Sequence, residues 1–184
     1  HGCSWANSEP APAKMVSDLY TEDNKGGSVL ALFSAHDGTD GYLNQVWGST
    51  DNARTWRQVG QTIDRSLLLT TLRSAPSDDQ TLYVSGKRFA ADYTAVGLLL
   101  RSRDRGQTWS ELSVPKGGSQ RVLGVHPKQP GTIFLRIDAN QQYGADALWV
   151  STDYGSSWTE LYSAMARLYG FVLSPELDEL WVAF

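Results

Sequence analysis

Several things are scarce or missing in this sequence, and each absence closes a line of interpretation. Among 184 residues Cys3 is the sole cysteine, so no disulfide forms within the chain and cysteine usage says little about compartment. The 16 basic residues stand against 20 acidic ones and form no block or stripe. The electrostatic footprint of a nucleic-acid partner is therefore missing, and no nucleic acid is expected. No window approaches the ~18 consecutive apolar residues of a membrane helix, so no membrane span is expected. No charged-then-apolar segment opens the chain, and the first residue is not Met, which reads as a processed chain or a fragment. Gly-x-Ser-x-Gly, His-Glu-x-x-His and phosphate-loop patterns do not occur, and no cofactor is expected. No long stretch carries a helical period; only YSAMARLY is ambiguous, and it is short.

What is present is 41% hydrophobic residues, 20% charged residues and a net charge of −4, the composition of one globular domain with a sizeable core. Three segments share a pattern: STDNARTW at 49–56, SRDRGQTW at 102–109 and STDYGSSW at 151–158. Their tryptophans, Trp56, Trp109 and Trp158, are 53 and 49 residues apart, and Trp5 in the opening GCSW falls 51 before Trp56. A second landmark runs out of phase with the first: Pro76, Pro127 and Pro175 follow one another at 51 and 48 residues. Two independent landmarks with one period imply tandem units of about 50 residues.

Each unit contains four short runs rich in Leu, Val, Thr and aromatics, punctuated by Pro, Asp, Gly and Asn. In the second unit these are LLLTTLRS, TLYVSG, VGLLLRS and TWSELSV; in the third, QRVLGVH, TIFLRI, ALWVST and SWTELYS. The predicted fold is all-β, a β-propeller of four-stranded antiparallel blades with about three and a half blades present. The expected organisation is one segment over 1–184, with units at about 14–61, 62–115 and 119–163, a partial unit at 167–184, and residues 1–9 ending a preceding blade.

The shared eight-residue pattern has a structural logic. Asp51, Asp104 and Asp153 can accept backbone N–H groups within a tight hairpin, backed by Ser49, Ser102 and Ser151. Gly106 and Gly155 supply positive φ, and each Trp buries a large apolar area at the start of the outer strand. Ala53 stands where Gly is expected, a strain of about 1 kcal/mol.

The Ser-x-Asp-x-Gly-x-Thr-Trp pattern resembles the Asp-box, or BNR repeat, of sialidase-like, sortilin-like and xyloglucanase-like propellers, a family that also includes photosystem assembly factors. The resemblance covers essentially the whole chain. It implies that the box lies on the blade periphery, away from the ligand face, and that its aspartates are structural. The chain opens inside such a box and closes on the first two strands of a unit. The remaining blades are thus expected from the same longer protein or from a second copy, since propellers close at about four to eight blades.

Candidate chemistry falls on the loops joining second and third strands, on the face opposite the boxes. SAHDGTDGY carries His36, Asp37, Asp40 and Tyr42; GKRFAADYT carries Lys87, Arg88, Asp92 and Tyr93; DANQQYGAD carries Asp138, Asn140, Gln142, Tyr143 and Asp146. Aromatics mixed with carboxylates, amides and bases suit sugars or a protein surface. Asp37-Gly-Thr-Asp40 lacks the acidic spacing of a calcium loop, and no metal is expected. Asp37, Asp40 and Asp138 are the candidate catalytic carboxylates if the protein hydrolyses glycosides. Sialidase resemblance would imply an Arg-Ile-Pro stretch; Arg136-Ile137-Asp138 departs from it at the third position. The sequence reads as a recognition propeller for a protein or glycan, without turnover, outside the cytoplasm; the competing reading is a glycoside hydrolase completed by other blades.

Overall fold

The structure, a computed structural model, describes residues 15–22, 26–115, 118–140, 145–164, 166–174 and 179–183. The opening GCSW, Pro175, Gln142 and Tyr143 lie outside these residues. Among those described, the chain is all β and holds no helix. The first sheet contains β1 (Val16–Thr21), β2 (Val29–His36), β3 (Tyr42–Ser49) and β4 (Arg57–Ile63). The second contains β5 (Leu67–Ala75), β6 (Asp78–Phe89), β7 (Ala95–Ser102) and β8 (Ser110–Glu111), and the third β9 (Gln120–Val125), β10 (Ile133–Asn140), β11 (Ala145–Ser151) and β12 (Thr159–Ala164). A two-stranded sheet of β13 (Gly170–Leu173) and β14 (Leu180–Ala183) follows. Every pairing is antiparallel and strand order equals chain order, so each sheet is an up-and-down blade of an open, partial propeller.

Period-two patterning explains how the blades stack. On β6, Leu82 and Val84 face the first sheet, where they join Leu30, Leu32 and Val46, whereas Tyr83 between them faces the third sheet with Leu135 and Ile137. Leu98 and Leu100 on β7 separate from Leu99 in the same way. A strand covered on both faces must be apolar at successive positions, and β6 accordingly runs buried from Thr81 to Gly86. Phe134 and Leu148 begin a third core against Phe171 and Val182.

The three Asp-boxes close with the same hydrogen bonds. Ser102 Oγ donates to Asp104 Oδ1 (2.7 Å) and accepts the Gly106 N–H (2.7 Å), while Asp104 Oδ1 accepts the Thr108 N–H (2.9 Å) and Oδ2 the Thr108 hydroxyl (2.6 Å). Ser49 and Asp51 act alike on Ala53 and Thr55, and Ser151 and Asp153 on Gly155 and Ser157. These donors depress the carboxyl pKa of Asp104 and Asp153 to about 2, and that of Asp51 below its ordinary range. Two successive residues in each turn are left-handed, not one: Asn52 and Ala53, Arg105 and Gly106, Tyr154 and Gly155. The N–H of the first member of each pair leaves the box for a neighbouring turn of its own sheet, bonding Gly27, Gln80 and Gly131 carbonyls respectively.

The boxes also join blades. Gln61 N–H donates to the Gly106 carbonyl at 2.8 Å, and Leu112 packs over Gly155. This second contact accounts for a difference from the expected fourth strand of the second unit. TWSELSV forms only the two-residue β8, because Leu112 and Val114 turn inward onto the core shared with the third sheet.

Candidate functional site

The hairpins joining second and third strands lie at the strand ends opposite the boxes, and their described residues make separate sets of local contacts. In the first, Asp37 is consumed by its own turn. Its Oδ1 accepts the Thr39 N–H (2.9 Å) and hydroxyl (2.7 Å), and its Oδ2 pairs with Arg65 at 2.7 Å. The Thr39 bonds first, and then Arg65, hold its pKa at about 2 despite some burial. His36 packs edge-to-face on Tyr42, their ring centroids 5.8 Å apart, and Nδ1 of His36 accepts the Gly38 N–H (3.2 Å). Asp40 is exposed at the tip.

In the second hairpin Asp92 accepts the Thr94 N–H at 2.9 Å, and bonds from Thr94 lower its pKa. Tyr93 beside it is 87% exposed at φ +63, held by Tyr93 N–H to the Ala90 carbonyl and Ala90 N–H to the Thr94 carbonyl, both 2.9 Å. A side chain held in a costly backbone region with its ring in solvent is the kind of outlier found at contact sites. Lys87 lies over the Phe89 ring (5.3 Å), and Arg88 ion-pairs with Glu111.

The third hairpin brings two candidates together. Asp138 and Asp146 are directly opposite across β10 and β11. Asp146 is buried, and its Oδ2 accepts the Leu168 N–H at 2.7 Å, tying the chain that leads into β13. Arg136 reaches Asp138 at 3.2 Å and Asp146 at 3.7 Å. Burial, with the hydrogen bond and charge of Asp146, raises the Asp138 pKa against the opposing pull of Arg136 and Arg167. Asn140 ends β10.

Asp146 belongs to a recurring inter-blade clasp. Asn44, like Asp146, stands twelve residues before its box tryptophan, and its amide donates to the carbonyls of Asp64 and Leu67, both at 2.7 Å. Gly97 occupies the same place in the second sheet, where Gln120 of the next sheet fills the space a side chain would take. Three chemistries thus serve one junction.

Sequence reasoning missed the residues nearest the axis. Arg73, Arg121 and Arg136 line one cavity of about 240 Å³ with Tyr169 and Phe171, where β5, β9 and β13 approach one another. Arg73 is committed to Asp18 (2.8 Å) and to the Leu123 carbonyl (2.9 Å). Arg121 is exposed, with no hydrogen-bond or ion-pair partner among the described residues, and Tyr169 is 79% exposed. The available signal was an arginine inside each otherwise apolar first strand, LLLTTLR and QRVLGV. Among the described residues no group of three or more His, Cys, Asp or Glu is placed to hold a metal, and no helix is long and apolar enough to cross a membrane.

Comparison with known proteins adds family context to this geometry. Residues 44–178, well over half of the chain, match the family described as sortilin, neurotensin receptor 3. The xyloglucanase Xgh74A of Acetivibrio thermocellus is 28% identical over 130 residues, which cover 62% of this chain and 15% of that protein. The chain therefore spans a small part of the length of that relative. Among solved structures, the Niastella koreensis GH74 enzyme superposes with a TM-score of 0.67 at 17% identity, over 91% of this chain and 26% of that one. YCF48 bound to D1 peptide superposes with a TM-score of 0.54 at 16% identity, over 82% of this chain and 40% of that one. At these identities the structural likeness concerns the fold.

Proposed function

The chain belongs to the Sortilin-Vps10 family, and from that premise we propose that it is a recognition propeller, without turnover, that binds a protein or glycan through its loop face. One observation carries this reading: the candidate carboxylates Asp37 and Asp138 are engaged by local partners, Asp37 by Thr39 and Arg65 and Asp138 by Arg136. Asp138 and Asp146 stand directly opposite each other on β10 and β11 and share Arg136 between them. Asp37 lies on the first sheet, separated from them by the second, and its Arg65 pair and Thr39 bonds keep it ionised. What the face offers freely is contact chemistry: the rings of Tyr93 and Tyr169 and the guanidinium of Arg121.

The second reading, a glycoside hydrolase completed by further blades, is favoured by Asp138, whose raised pKa is the direction a general acid needs. Incubation with xyloglucan, followed by reducing-end release, separates the two. The recognition reading expects no release, together with saturable binding of a xyloglucan oligosaccharide or a peptide that weakens in Tyr93→Ala and Arg121→Ala. Hydrolysis that disappears in Asp138→Asn would sink it. Extracellular, cell-surface or periplasmic placement follows from the same reading, as do further blades from a longer protein or a second copy.

A further inference from the structure

We propose that the bare outer edge of β7, at residues 95–97, takes up an extended peptide of a partner protein as an added strand. This strand addition rests on the recognition reading and names the partner as a peptide, not a glycan. The hairpin fixes which groups of β7 point outward. Ala90 N–H bonds the Thr94 carbonyl across it, so by strand alternation Val96, Leu98 and Leu100 bond β6, and Ala95, Gly97 and Leu99 direct N–H and C=O away from it. The Leu99 carbonyl accordingly accepts the Leu112 N–H at 2.9 Å. Nearer the hairpin, Ala95 and Gly97 have no outward hydrogen-bond partner among the described residues, since β8 pairs only with Leu100 and Arg101.

The other two sheets fill this place with a strand. Tyr42 stands fourteen residues before its box tryptophan, as Ala95 does, and donates its N–H to the Arg65 carbonyl at 2.8 Å. Asp146 stands twelve before, as Gly97 does, and donates its N–H to the Ala166 carbonyl at 3.1 Å. Asn44, also twelve before, pairs with Ile63 of β4. In both sheets the chain's own fourth strand thus follows the edge toward the hairpin. In the second sheet it leaves after Glu111, because Leu112 and Val114 turn onto the core shared with the third sheet. Ala95 and Val96 are left exposed.

The edge selects its occupant. Backbone donors and acceptors that recur every two residues, roughly 6.5–7 Å apart, are matched by another extended backbone; a saccharide carries no such row. Side chains add selectivity on both faces. Val96 is half exposed on the face it shares with Leu98 and Leu100, and Phe89, opposite Ala95, is exposed on the other. The neighbouring charges are engaged, Arg88 by Glu111 and Lys87 by the Phe89 ring. A segment with apolar or β-branched side chains at successive positions therefore fits beside β7.

Amide hydrogen exchange of the full chain tests this, with and without a blocked synthetic peptide TELYSAMA, the sequence that begins with β12 in the third sheet. Without peptide, the Ala95 and Gly97 amides exchange faster than those of Tyr42 and Asp146. Peptide slows Ala95 and Gly97 about tenfold or more and leaves Tyr42 and Asp146 unchanged. Of two copies N-methylated at odd or at even positions, the one with methyl groups toward β7 loses this effect. Ala95→Pro removes an outward N–H at the first residue of a strand, where proline is tolerated, and raises the apparent Kd about fivefold or more; if that variant fails to fold, the N-methylated copies still decide. Ala95 and Gly97 amides as slow as those of Tyr42 and Asp146 without peptide would show the edge already paired, and overturn the proposal. So would exchange unaltered by about 1 mM peptide, or slowed alike by both N-methylated copies. Xyloglucan hydrolysis is scored separately, so loss of the recognition reading and loss of the added strand are told apart.

Discussion

A β-carbon on Gly60 would lie 2.1 Å from the carbonyl oxygen of Gly106, and Gly60 itself sits at φ +69. The outer strand of one blade and the Asp-box of the next therefore meet backbone to backbone, sealed by the Gln61–Gly106 hydrogen bond. Gly60→Ala combines overpacking with a left-handed penalty and is expected to cost about 2–4 kcal/mol. Gly26, with open space around it and no positive φ, is the control: Gly26→Ala changes stability by less than about 0.5 kcal/mol. Urea denaturation of both variants checks the contrast, and equal midpoints would remove the glycine from the blade junction.

The first Asp-box offers a stabilising change. Ala53 holds φ +62, its N–H donating to Ser49 Oγ at 3.0 Å as the N–H groups of its glycine counterparts donate to Ser102 and Ser151. Ala53→Gly relieves the left-handed strain and is expected to raise stability by about 0.5–1 kcal/mol. A lowered unfolding midpoint would show that the alanine methyl contributes more by contact than it costs by conformation.

Asp146 is expected to act as an inter-blade fastener. Asp146→Ala removes the acceptor of the Leu168 N–H and leaves Arg136 with Asp138 as its one carboxylate partner among the described residues, at an expected cost of about 1–3 kcal/mol. Hydrogen exchange should quicken at the Leu168 amide and through β13 and β14 before the first two sheets respond. Uniform loss of protection across all sheets would argue against a local clasp.

Acid should act through the boxes. Asp104 and Asp153 have folded pKa values of about 2, below the ~3.9 of an unfolded aspartate, so their stabilisation is complete above about pH 4 and is lost as pH falls toward 2. Asp104→Asn flattens that acid limb in a pH series of thermal melts. If the wild-type and variant curves run parallel below pH 4, the box hydrogen bonds carry no proton linkage.

Asp138 has the opposite sign. Its folded pKa is raised, so the contribution of its protonated form is present below the unfolded value near ~3.9 and fades as pH rises through the folded value. Asp138→Asn therefore removes a decline in stability on the neutral side of pH 4. A variant that loses stability equally at every pH would assign Asp138 a packing role alone.

Much of this protein was legible in its amino-acid order. The period of about 50 residues, the four strands per unit and the box turns depend on alternation along a strand and on hydrogen bonds that close within eight residues, as Ser102, Asp104 and Thr108 show. Such features are local, so side-chain chemistry and spacing suffice to determine them. The left-handed pairs at Arg105 and Tyr154 escaped, because bonds to the Gln80 and Gly131 carbonyls of neighbouring turns sustain a conformation that neither residue favours alone. What only the tertiary structure decided is which side chains meet between blades. Arg73 finds Asp18 across 55 residues, Asp146 finds Leu168, and Trp109 lacks the carbonyl that Trp158 receives. Those outcomes turn on bulges that shift strand register, on where β8 stops, and on the rotation of one sheet against the next. Each moves a side chain by whole positions while leaving the repeat pattern that announces the fold unchanged.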